Sequence, residues 1–229
     1  MSTHPLGRRV LAEFLGTGLL VAVAVGSAIA AGRLSPDPGV QLLASALSTA
    51  MGLGVLIVLL ARVSGAHLNP VVTLALTALE GRSPAGMLKR ELVAYASAQI
   101  AGGIGGALLA NAMFAVPTSL STTDRATPAT FLAEVVATAG LVLVIAGLSR
   151  AGRPATVIAT AVGCYIGAAY WFTSSTSFAN PAVTIARMLT ETPAGIAPAS
   201  VLPWLLAQLL GGAIAVGLTM VLFPARDAQ

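Results

Sequence analysis

Six long apolar runs recur along the chain, at residues 10–31, 41–61, 91–114, 131–148, 156–173 and 201–223. Each is close to the roughly 20 residues that let an α-helix cross the hydrocarbon core of a bilayer. Stretches rich in Gly, Pro and polar residues interrupt them at 34–39, 81–86, 117–128, 150–154 and 192–198. Two shorter apolar segments, 69–79 and 180–189, remain. At about ten residues each they are too short to span. The pattern predicts an all-α membrane protein of six transmembrane helices with two half-length helices between them.

Composition narrows the reading further. Of 229 residues, 56% are hydrophobic and 9% charged, whereas a soluble domain carries about a quarter charged residues. Disordered, coiled-coil and disulfide-scaffold classes are excluded. Six spans take about 120 residues, which leaves no room for a separate soluble domain. The formal net charge is +4, but the basic residues flank spans and are not interleaved with aromatics, so nucleic acid is not the partner. One cysteine, Cys164, forbids an internal disulfide. The first run follows Arg8 and Arg9 yet is too long for a signal-peptide core, so it reads as a retained span.

Charge also sets an orientation. Arg8, Arg9, Arg62, Arg82, Lys89, Arg90, Arg150, Arg153 and Arg226 fall on one side of the six-span arrangement, and Arg33, Arg125 and Arg187 on the other. By the positive-inside bias both termini are cytoplasmic. The chain then repeats itself. Residues Ala12–Glu13–Phe14–Leu15–Gly16–Thr17 are echoed by Ala133–Glu134–Val135–Val136–Ala137–Thr138, Asn69–Pro70–Val71–Val72–Thr73 by Asn180–Pro181–Ala182–Val183–Thr184, and Ala98–Gln99–Ile100–Ala101–Gly102–Gly103 by Ala207–Gln208–Leu209–Leu210–Gly211–Gly212. The expected units are 1–118 and 119–229, each with three spans and one half-helix. An odd number of spans turns the second copy upside down. Inverted repeats place a shared site near the bilayer midplane, built from broken helices.

Asn is a strong N-cap and Pro favours the first helical position, so each Asn-Pro starts a half-helix. Each start lies inside the membrane, where unsatisfied backbone is tolerated only along a cavity. Each carries roughly half a positive charge. Two such ends repel cations and protons, while the Asn amides hydrogen-bond a passing neutral solute.

The runs Ser64–Gly65–Ala66–His67–Leu68–Asn69–Pro70–Val71–Val72–Thr73 and Phe178–Ala179–Asn180–Pro181–Ala182–Val183–Thr184 resemble the paired signature loops of the aquaporin and aquaglyceroporin family, and the Ala-Glu-Phe-Leu-Gly-Thr and Ala-Gln-x-x-Gly-Gly runs match it too. The resemblance implies an aquaporin-like bundle of six helices with two re-entrant half-helices, one pore per subunit, a homotetramer and a bacterial-type inner (plasma) membrane. It implies a passive channel for water, glycerol or related neutral solutes. The signature motifs are then Asn69, Pro70, Val71 and Asn180, Pro181, Ala182. Val71 stands where the family usually has Ala. Val183 stands where the family usually has the Arg of its selectivity filter. Counting from the motifs, the filter is Thr49, Ala168, Ser177 and Val183, with Met51 the alternative to Thr49. That quartet is small and uncharged. It resembles a bacterial aquaglyceroporin subgroup associated with arsenic resistance, which implies undissociated arsenite and methylated arsenicals as solutes. A general glycerol, urea and water facilitator is the alternative.

Arg187 lies four residues after Val183, on the same helical face and about 5.4 Å further along. It either leans back to the constriction or snorkels to the surface. Glu13 and Glu134 are intramembrane carboxylates at matching repeat positions; in the resembled family such residues brace the re-entrant loops, whereas a proton-coupled transporter would titrate them. His67 either lines the cytoplasmic half of the pore, the favoured reading, or gates it with pH near neutrality. Cys164 either shares a pore face with Ala168 or is a small buried apolar residue. Gln99 and Gln208 are expected to join helices, and Trp204 to anchor at the interface, as do Trp171 and Phe172 unless they narrow the vestibule. No catalytic, cofactor-binding or metal-ligating constellation emerges.

Overall fold

A computed structural model describes residues 4–79 and 87–224. The expected 81–86 connection, with Arg82, and Arg226 lie outside those residues. The described chain is almost entirely helical: α1 (Leu6–Leu34), α2 (Pro38–Ser64), α3 (Pro70–Leu79), α4 (Met87–Met113), α5 (Pro128–Arg150), α6 (Ala155–Phe172), α7 (Pro181–Ala186) continued by a 3₁₀ turn (Arg187–Leu189), and α8 (Pro198–Leu222). Six of these helices are long and apolar enough to cross a membrane, and α3 and α7 are the two short ones. Observed helices overrun the apolar runs at several ends because caps lie beyond the lipid-facing residues. Asp37 caps α2 through Gly39 N and Val40 N, and Thr127 with Thr130 forms a capping box on α5.

The two halves pack alike. In the first, α1 crosses α4; in the second, α5 crosses α8; and α2 meets α6 between them. Small residues let the crossing backbones touch. A Cβ on Gly106 would lie 2.0 Å from the Gly18 carbonyl oxygen, and one on Gly211 2.4 Å from that of Val135. Arginines close corresponding corners. At the end of α1, Arg33 donates to the Phe114 carbonyl beyond α4 at 2.6 Å, and at the end of α5, Arg150 donates to the Phe223 carbonyl beyond α8. Each caps free carbonyls of a helix C-terminus.

One aromatic differs from the sequence expectation. Trp204 is fully buried rather than interfacial. Its ring meets Phe178 edge-on at 4.6 Å, and its indole N–H donates to the Arg125 carbonyl at 3.2 Å. A partner ring and a satisfied N–H are what burying Trp requires. Trp171 and Phe172, at the end of α6, stay exposed.

Candidate solute pathway

The loops that enter α3 and α7 are hung on two carboxylates. Glu13 of α1 is fully buried and accepts from Ser64 Oγ (2.6 Å), His67 N (3.0 Å), Leu68 N (2.7 Å) and Gln99 Nε2 (2.8 Å). Glu134 of α5 is equally buried and accepts from Ser175 Oγ (2.7 Å), Phe178 N (2.9 Å), Ala179 N (2.8 Å) and Gln208 Nε2 (2.6 Å). Gln99 and Gln208 also donate to Thr73 and Thr184, so each joins a span to a half-helix. Without these acceptors the loop N–H groups would be stranded in the membrane interior. The loops are strained in the same places. Ala66, Leu68, Ser177 and Ala179 all have φ between 48° and 51°. Such left-handed conformations are unfavourable for non-glycine residues and persist only where surroundings enforce them.

The half-helix starts face one another. Asn69 Oδ1 accepts from Val71 N, and Asn180 Oδ1 from Ala182 N and Val183 N. The amide nitrogens cross over: Asn69 Nδ2 donates to Ala179 O at 2.7 Å and Asn180 Nδ2 to Leu68 O at 2.8 Å. An amide NH₂ has two donors, so each Asn keeps one for the cavity it lines. Pro70, Pro181 and Ala182 complete the turns. Val71 points away from the cavity toward α8, where a Cβ on Gly212 would lie 2.5 Å from its Cγ1. The extra bulk relative to Ala is accommodated by a glycine on the facing helix.

The cavity has about 600 Å³ of empty space, including its open ends. Both loops and helices α1, α2, α5 and α6 contribute to its wall. Thr49, His67, Asn69, Ser177, Asn180, Val183 and Arg187 all line it. Met51 is 64% exposed on the far face of α2. Ala168 and Cys164 are not brought to the cavity; both are exposed on the outer face of α6. Ile166 and Tyr170 line it instead, with Val162 one turn earlier. The ungapped count from the motif lands two residues away, and two residues rotate a helical position by about 200°. The Tyr170 hydroxyl lies 3.1 Å from Thr49 Oγ1, tying α6 to α2 across the cavity wall.

The two mouths differ. Near α3, His67 Nδ1 lies 3.2 Å from Thr73 Oγ1, and its ring meets Tyr95 edge-on at 5.6 Å. Tyr95 donates to Ser64 O and accepts from Arg9, which pairs with Glu91 at 3.1 Å. Near α7, Phe178 occupies the place corresponding to His67, and Trp204 that of Tyr95. There the buried Arg187 lays its guanidinium on the Phe178 ring, 3.4 Å from the centroid, and donates from Nε to Ala194 O. Sequence reasoning missed Arg125, whose guanidinium lies 5.6 Å from the same ring. Among the described residues no cluster of His, Cys, Asp and Glu fits a metal ion.

Comparison with known proteins gives consistent results. A family model described as major intrinsic protein matches residues 1–177. Aquaglyceroporin AqpS of Rhizobium meliloti (strain 1021) is 46% identical over 228 residues, covering 99% of this chain and 95% of that protein. Aquaporin Z of Bradyrhizobium diazoefficiens is 30% identical over 170 residues, 68% of each. The X-ray structure of the aquaglyceroporin from Plasmodium falciparum superposes with a TM-score of 0.74 over 94% of this chain and 96% of that one; at 20% identity the likeness is one of fold.

Proposed function

The chain belongs to the major intrinsic protein family, and from that premise we propose that its cargo extends to bulky neutral metalloid hydroxides. It is an aquaglyceroporin-type channel for small solutes, a multi-pass membrane protein and not an enzyme. Arsenite and methylated arsenicals are the proposed solutes within that class, alongside glycerol and water.

The observation that carries the finer reading is Val183. It follows the second Asn-Pro-Ala directly, lines the cavity and brings no charge or donor to it. With Thr49 and Ser177 it brings small, uncharged side chains to a wall that Ile166 and Tyr170 also line. More room admits larger solutes, and fewer donors replace a water shell less well. A general glycerol and urea facilitator is the second reading, favoured by the donors of Arg187 on the same wall. Ion coupling is disfavoured because Glu13 and Glu134 are each occupied by four donors. The proposed assembly is a homotetramer. The proposed setting is the bacterial plasma membrane with both termini cytoplasmic, supported by the charge bias.

The test is solute flux through purified protein in liposomes, with water, glycerol, arsenite and a methylated arsenical compared for wild type and Val183→Arg. The expected outcome is rapid metalloid flux that the substitution lowers at least tenfold. Rapid water flux with no metalloid flux overturns the metalloid reading.

A further inference from the structure

Arg187 is 6% exposed and lies on the cavity wall. Among the described residues no carboxylate stands within ion-pair distance of it; the pair found is Arg9–Glu91, at the opposite mouth. Among the described residues, the one hydrogen bond of its side chain to the protein runs from Nε to Ala194 O. The N–H groups on its two terminal nitrogens therefore have no protein acceptor among the described residues, and a guanidinium has five such donors in all. A buried cation left in this condition is costly unless something else solvates it. Beside a water-filled pore, that partner is water or the permeating solute. The Ser177 hydroxyl, buried next to the same cavity, is also without a partner among the described residues.

The guanidinium is held in place from two sides. Its face rests on Phe178, whose backbone N–H is fixed by Glu134 and whose ring is wedged by Trp204. Its Nε–H is fixed by Ala194 O, and the neighbouring carbonyls belong to Arg125. Arg125 donates from Nε to Gly195 O at 2.7 Å and from a terminal nitrogen to Pro193 O at 2.8 Å. Three successive carbonyls thus face two guanidiniums, and both guanidiniums flank one ring. Arg125 is anchored in turn, because its backbone N–H donates to Ser200 Oγ at 2.8 Å. Gly195 admits no side chain here: a Cβ would lie 2.3 Å from Ser121 Oγ and 2.4 Å from Thr190 O.

We propose that Arg187 is the solute-selecting cation of this channel, supplied one helical turn beyond the neutral Val183, and that Arg125 positions it by holding the carbonyls of residues 193–195. The proposal rests on the channel reading and deepens it. Val183 then widens one rung of the constriction while the next keeps a fixed positive charge. That charge repels cations. Its free N–H groups donate to the oxygens of an uncharged polyol or metalloid hydroxide. The same rung passes neutral hydroxylic solutes and refuses alkali cations and protons.

The test uses the full chain reconstituted in liposomes, with glycerol and arsenous acid as solutes and potassium and proton leak as the second readout. Arg187→Gln keeps most of the volume and a donor for Ala194 O without the charge. It is expected to raise cation leak at least tenfold and to change the glycerol-to-arsenous-acid permeability ratio at least fivefold. Arg187→Lys, which keeps the charge, is expected to restore low leak but not the ratio. Arg125→Gln is expected to shift the ratio in the same direction by less. Arg153→Ala, in the exposed 151–154 connection after α5, serves as the control. If Arg187→Gln conducts solute normally with wild-type leak and ratio, the proposal is wrong. If wild type conducts neither solute, the channel reading fails instead, whatever the variants do. Should Arg187→Gln not fold, Arg187→Lys decides: an unchanged permeability ratio overturns the proposal, and a changed one with low leak supports it.

Discussion

Single carboxylates hold the loops that make this pore. Glu134 is fully buried and accepts four donors. Glu134→Ala strands two buried backbone N–H groups and a hydroxyl and takes one acceptor from Gln208, and at about 1–3 kcal/mol for each stranded donor it is expected to destabilise the fold by several kcal/mol. Thermal unfolding in detergent checks this, and a melting temperature equal to wild type would sink the bracing role. Glu13→Ala has the same expectation on the other loop. Outside the membrane, Asp124 accepts from Ser200 Oγ and from Ala126 N, and these bonds hold its carboxyl below the ordinary Asp value. A folded pKa lower than the unfolded one contributes stability above the unfolded pKa. That contribution disappears as pH falls through the depressed folded value. Protection of the 118–127 loop against amide exchange is therefore expected to hold steady from pH 7 to about 5 and to weaken only below the usual Asp pKa of about 3.9.

Helices and their crossings were only partly legible beforehand. The six spans follow from unbroken apolar length, and the half-helices from Asn-Pro placed before runs too short to cross. Which face of a span meets the pore is a finer matter. Hydrophobicity is uniform around α6, so it carries no phase, and counting from a distant motif put Ala168 and Cys164 where Ile166 and Tyr170 lie. Burial of Trp204 and the position of Arg125 left no local trace either. Both depend on partners such as Phe178 and Gly195 that are brought together only by folding. The close crossings rest on glycine. Gly106→Val should push α1 from α4, since even a Cβ there meets the Gly18 carbonyl oxygen at 2.0 Å. The expected result is a loss of monodisperse protein on size-exclusion chromatography, whereas Gly217→Ala, which meets nothing within 4 Å, should be silent.

At the scale of the whole molecule, the two halves meet through crossed Asn amides, so neither half-helix moves without the other. Flux is expected to follow the solute gradient alone. An imposed pH gradient should leave internal and external solute equal at equilibrium; accumulation would refute this. The single thiol stands outside the bore, on the outer face of α6. Mercurials are accordingly expected not to slow flux, and Cys164→Ser to behave as wild type. The placement bears on toxicity as well as on labelling. Under the proposal that trivalent arsenicals are among the solutes, a cysteine in the lumen would put a sulfur ligand in their path, because trivalent arsenic bonds to thiols. A conduit with its only sulfhydryl turned outward would offer such a solute no sulfur to bind on its way through.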